Sequence, residues 1–140
     1  MTLKHQIVVS YTKDLSVETP DAESLISARE NLSKYSLNLD LNSKFLKNKM
    51  IEVDTKLTYE DKTKNKKKTR FEMTYSTVVK IEEENPSKED VEKFILCDLQ
   101  IKTYSQIEKI FIEILKLSGF PSIQIKSKID FNKLYNERKN

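Results

Sequence analysis

Ile51-Glu-Val53-Asp-Thr-Lys-Leu57-Thr-Tyr59 and Phe71-Glu-Met73-Thr-Tyr75-Ser-Thr-Val-Val79-Lys-Ile81 decide the fold of this chain. Both alternate apolar and polar residues with a period of two, the signature of half-buried strands. The intervening Glu60–Thr69 is a polar, lysine-rich connection of hairpin type. One face of this pair carries Ile51, Val53, Leu57, Tyr59, Phe71, Met73, Tyr75, Val79 and Ile81. The other carries Glu52, Asp54, Lys56, Thr58, Arg70, Glu72, Thr74 and Lys80. One packed side and one wet side is the habit of antiparallel sheets.

Working outward, Gln6–Val17 forms a first strand with Ile7, Val9 and Tyr11 on one face, and it leaves its sheet at Pro20. Asp21–Asn31 reads as a loop with one or two helical turns. Leu37, Leu39 and Leu41 alternate with Asn38 and Asp40 in a short strand. Four strands with no helices between them favour an antiparallel sheet. Helices follow, so the expected class is α+β, a four-stranded antiparallel sheet with helices packed on one face. Pro86-Ser87-Lys-Glu-Asp90 is a start signal with Ser87 as cap.

The longest helix is expected over about Ser105–Ser118. Ile107, Ile110, Phe111, Ile114 and Leu115 make its stripe, Leu117 widens it, and Ile112 lies well off it. A helix that covers one sheet needs an apolar face roughly 100° wide. This one has more and should touch something on a second side. Gly119, the chain's only glycine, ends it as a left-handed cap with Pro121 two residues on. Asp130 caps a last short helix that bears Phe131, Leu134 and Tyr135.

The chain has 140 residues, 37% apolar and 34% charged. That length suits one domain, residues 1–140, and its modest core suits a chain that completes its burial by oligomerising. The single cysteine, Cys97, follows Phe94, Ile95 and Leu96 and reads as a buried thiol. It leaves no internal disulfide, and metal-ligand clusters are missing. The opening carries no secretory pattern and no apolar run spans a bilayer, so a cytoplasmic protein is expected.

One glycine leaves no phosphate-cradling loop, and one histidine, His5, offers no catalytic triad. No catalytic residue, cofactor or metal is expected. Net charge is +3, carried by Lys almost throughout, with Arg only at Arg29, Arg70 and Arg138. Lys62-Thr-Lys64-Asn-Lys66-Lys67-Lys68-Thr-Arg70 is the sharpest charge run. It reads as a solvated hairpin tip, or else as the contact of a nucleic-acid-binding module. It lacks the interleaved aromatics that stack on bases.

Two further stretches carry a family resemblance. Tyr11-Thr-Lys-Asp14-Leu-Ser16-Val-Glu18-Thr-Pro20 is similar to the opening-strand pattern Y-x-K-D-x-S-x-E-x-P of the SecB export chaperones. Gly119-Phe120-Pro121 followed by Asp130-Phe131-x-x-Leu134-Tyr135 resembles their closing turn and final helix. The matches lie in family order and frame nearly the whole chain. The resemblance implies an ATP-independent holdase that grips unfolded polypeptides as a homo-oligomer, a dimer of dimers. It implies a client groove or helix interface built from Tyr11, Phe71, Met73, Tyr75, Tyr104, Ile107, Phe111, Ile112, Leu115 and Leu117. It also implies docking on the SecA motor through Asp14, Glu18 and Glu72.

The chain departs from the family in its basic charge. It departs again where the pattern C-P-x-x-L-F-P-Y-A-R-E has become Cys97-Asp-Leu-Gln-Ile-Lys-Thr-Tyr104-Ser-Gln-Ile-Glu108. SecB-like chaperones that guard an antitoxin also exist. Two client routes therefore stand open: Sec-dependent export and a dedicated antitoxin.

Overall fold

The computed structural model describes residues 2–61, 69–121, 123 and 129–139. Residues 62–68, most of the basic run, lie outside the described residues. Strands β1 (His5–Glu18), β2 (Tyr35–Phe45), β3 (Met50–Asp61) and β4 (Arg70–Ile81) form one antiparallel sheet in the order β1-β4-β3-β2. The helices are α1 (Ala22–Glu30), α2 (Lys88–Lys93), α3 (Leu99–Leu117) and α4 (Phe131–Lys139). A π turn over Phe94–Asp98 joins α2 to α3. The expected class, an antiparallel four-stranded sheet with helices on one face, is the observed one.

The sheet's two faces follow the alternation of β3 and β4. Ile51, Val53, Leu57, Tyr59, Phe71, Met73, Val79 and Ile81 are buried, and Tyr75 is half-buried. Against them lie Cys97, Tyr104, Ile107, Phe111 and Leu115 of the long helical run, with Phe120, Phe131 and Tyr135 from the C-terminal segment. A second cluster joins Ile51, Val53, Val79 and Ile81 to Phe94, Ile95 and Leu99. Each fully buried side chain of this size contributes roughly 1.5–3 kcal/mol of transfer free energy.

Three expectations are corrected. In β1, irregularities between Ile7 and Val9 and between Thr12 and Asp14 break the alternation. A bulge inserts one residue and turns the following side chains to the other face. Ile7 therefore faces the core, whereas Val9 and Tyr11 face the wet side. The connection from β1 to β2 is not a loop but holds α1. Asp21 caps it by accepting from Ser24 N at 2.8 Å, and Leu25 and Ala28 reach the core. The helix begun by Ser87, whose Oγ accepts from Asp90 N at 3.0 Å, runs through the π turn into α3. The long helix accordingly starts at Leu99 and not near Ser105.

Gly119 ends α3 with φ +94°. Phe120 N donates to Leu115 O at 3.0 Å, which sends Phe120 back under the sheet. There it meets Tyr35, Tyr59 and Phe71 at ring-centroid distances of 5.0–5.9 Å. Tyr35 Oη donates to Thr69 O at 2.9 Å and so fastens the start of β2 to the end of the β3–β4 connection. His5, at the start of β1, is half-buried with its ring 4.6 Å from that of Phe94.

Candidate functional site

β2 is one edge of the sheet. Its alternation runs on past Leu41 through Ser43 to Phe45, and the strand ends in a tight turn. Leu46 N donates to Met50 O at 2.8 Å, with Asn48 and Lys49 in the left-handed region at φ 62° and 61°. Beside this edge lie α2, the π turn and α4, leaving three linked clefts. The first, of about 420 Å³, is lined by Leu39, Leu41, Leu96, Phe131, Leu134 and Tyr135, with Asp40, Glu137 and Arg138. The second, of about 280 Å³, shares Leu41, Leu96 and Arg138 and adds Asn42, Ser43, Phe45, Lys88, Val91, Glu92 and Ile95. The third, of about 260 Å³, shares Phe45 and Val91 and adds Leu46, Lys49, Met50, Ile51, Ile81, Glu83, Asn85 and Pro86.

Shared lining makes these clefts one groove along β2. Among its lining side chains, Phe45 is 69% exposed, Leu134 46% and Leu46 37%. Charges of both signs stand around them. Such a surface holds apolar side chains by taking them from water, a non-directional force that tolerates many sequences.

The residues expected at a client groove or helix interface lie outside these clefts. Phe71, Met73, Ile107, Phe111 and Leu115 are in the core, at 2% exposure or less. Tyr104 is buried with its ring 5.3 Å from Phe131, and burial, with the nearby Glu108 carboxylate, pushes its phenol above the usual range. Tyr75 and Ile112 are half-buried, and Leu117 is 77% exposed at the end of α3. Tyr11 is on the opposite face. None of these residues lines the three clefts. The residues that do were signalled by the repeated Leu37-Asn-Leu39-Asp-Leu41 alternation and by Phe131, Leu134 and Tyr135. What the pattern omits is that β2 is an edge strand.

The wet face carries a charge mosaic. Lys13, at the second bulge, reaches Glu52 at 2.7 Å and Asp54 at 2.9 Å, and Tyr11 Oη donates to Glu52 at 2.8 Å. Hydrogen bonds from Lys13 and then Tyr11 hold the Glu52 carboxyl below its ordinary range. Glu72 is gripped by Lys56 at 2.6 Å and Arg70 at 2.7 Å, and Lys56 is the larger cause of its lowered pKa. Arg70 also donates to Glu60 at 2.8 Å. Asp14 and Glu18 are exposed on this face, opposite Thr74 and Arg70 of β4. The structure thus brings the three acidic positions onto one face but ties Glu72 to neighbouring cations.

Among the described residues no group of His, Cys, Asp and Glu is placed to hold a metal ion, and no helix is long and apolar enough to cross a membrane.

An antiparallel sheet with a long helical run on one face and an apolar trough beside its edge strand defines an α+β fold. Comparison with known proteins gives the family. The family model for SecB, preprotein translocase subunit SecB, matches residues 2–140. A protein of Pelagibacter ubique (strain HTCC1062), provisionally named protein-export protein SecB, is 45% identical over 140 residues and covers 100% of both chains. The protein-export protein SecB of Rickettsia bellii is 29% identical, over 91% of this chain and 83% of its own. The SecB-like chaperone of Mycobacterium tuberculosis, solved with a peptide from the HigA1 antitoxin, superposes with a TM-score of 0.66. Its identity is 11%, over 89% of this chain and 88% of its own, so it speaks for the fold. The chain belongs to the SecB family, a family of chaperones.

Proposed function

We propose that this chain is an ATP-independent holdase that binds non-native polypeptides in the groove along β2 and serves protein export. The observation that carries this reading is the continuous groove, with Phe45, Leu46 and Leu134 exposed in it. An extended client that loses ~400 Å² of apolar surface there gains roughly 10 kcal/mol gross. Ordering the client takes much of that back, so single contacts are weak. Several grooves on one oligomer would act together through effective concentration.

A homo-oligomer, arranged as a dimer of dimers, is part of the same proposal. Its support is apolar surface this chain leaves uncovered. Val8, Val9, Leu15 and Val17 are exposed on β1, the sheet's other edge, and Leu117 is exposed on α3. A long apolar edge strand invites pairing.

The export route draws support from the family's description as a translocase subunit and from the names of the curated relatives. Docking on the SecA motor would fall to Asp14 and Glu18, whose carboxylates face water, more than to the ion-paired Glu72. A dedicated antitoxin client is the second reading, favoured by the fold shared with the antitoxin-bound chaperone. Charge reversal of Asp14 and Glu18 separates the two. It should abolish SecA binding under the export reading and leave client holding intact under either.

A further inference from the structure

The wall of the first cleft is not fixed by apolar packing alone. The helical run from Lys88 changes pitch at Phe94–Asp98, where a π turn takes the place of an α turn. Such turns recur at functional positions. Two neighbours within this one face different surroundings. Leu96 is half-buried and lines both the first and the second cleft. Cys97 is fully buried and points at α4, where its Sγ lies 3.0 Å from Asn132 Oδ1. Burial pushes the thiol pKa up, so it stays protonated and acts as the donor. The next residue back, Phe131, packs edge-on to Tyr104 at 5.3 Å. From the same helix Leu134, Tyr135 and Arg138 face the cleft.

We infer that Cys97 and Asn132 are positioning residues that set how far α4 stands from Leu96, and thereby how bulky a client side chain the first cleft accepts. The inference rests on the reading of the groove as the client site. The expected ligand is a large apolar side chain, aromatic before aliphatic, carried on an extended peptide. The wall it meets includes Phe131 and Tyr135, whose rings favour edge-on contacts with another ring. Asn132 is exposed, so its truncation to alanine removes the acceptor with little effect on the core.

The test uses the full chain and three fluorescein-labelled peptides of one extended sequence, with Trp, Leu or Ala at a central position. Dissociation constants are read by anisotropy, and thermal melts confirm folding. In the wild type Trp should bind more tightly than Leu, and Leu more tightly than Ala. Asn132→Ala should reduce the Trp-over-Ala preference by about threefold, on the order of a weak thiol hydrogen bond at about 0.7 kcal/mol. Cys97→Ser keeps a donor and should hold that preference within about 1.5-fold, a change of about 0.2 kcal/mol. A purely structural role would weaken all three peptides equally. An unchanged preference in Asn132→Ala, or an equal loss in Cys97→Ser, would overturn the inference alone. A wild type that binds none of the peptides overturns the groove reading and this inference with it.

Discussion

Gly119 is the residue on which the C-terminal half turns. Its φ of +94° is open to glycine and strained for any other residue, while the space around it is ordinary, with Leu25 Cδ2 3.4 Å from a built Cβ. Gly119→Ala should therefore cost backbone strain of about 1–2 kcal/mol and lower the melting temperature by a few degrees, about 3–8 °C. Phe71 and Phe111 are fully buried. Alanine at either should cost about 3–5 kcal/mol in urea unfolding, since each leaves a cavity. Acid stability draws on Glu52 and Glu72, whose carboxyls are held below the ordinary carboxylate range by Lys13 and Tyr11 and by Lys56 and Arg70 respectively. A lowered folded-state pKa gives stabilisation that is complete above the unfolded value and drains away as pH falls through the folded one. Thermal melts should be flat from neutral pH down to about 5 and fall below about 4.5. The double variant Glu52→Gln, Glu72→Gln should be less stable at pH 7 and lose less on acidification. A parallel fall in variant and wild type would contradict that assignment.

At the scale of elements, the strands that alternate cleanly were the legible ones. Ile51–Tyr59 and Phe71–Ile81 show their faces because, apart from Thr55 and Thr77 on the core side and Val78 on the wet side, one face is apolar and the other polar. β1 was legible as a strand but not in its register. An extra residue near Val8 and another near Lys13 leave no mark in the composition, and Tyr11 changes faces as a result. α1 was half legible. Its apolar contribution comes from Leu25 and Ala28 alone, too little for a clear stripe, and tertiary contact beneath them completes it. The long helix declared its stripe but not its start, because the π turn joins it to a separately capped segment. The groove was the least legible feature. It depends on which strand is the edge, and that follows from the β1-β4-β3-β2 order. The Ser87 cap ties stability to this groove, since α2 brings Lys88 and Val91 to its wall. Ser87→Ala should cost about 1 kcal/mol in chemical unfolding and loosen client binding a few-fold.

At the scale of the whole molecule, the two sheet edges are proposed to have different tasks. The β1 edge and the exposed end of α3 are proposed to meet sister copies, and the β2 edge to meet clients. Leu117→Asp should then yield a folded species of lower mass in sedimentation, because a charge at a buried contact is costly. A folded variant of unchanged mass would contradict the role given to Leu117. The central claim concerns the groove itself. The direct measurement is light scattering of an aggregating, chemically denatured client, with wild type and a Phe45→Asp, Leu134→Asp variant at equal stoichiometry. The wild type should suppress scattering, and the folded variant should lose most of that protection. Equal suppression by both, or none by the wild type, would contradict the claim.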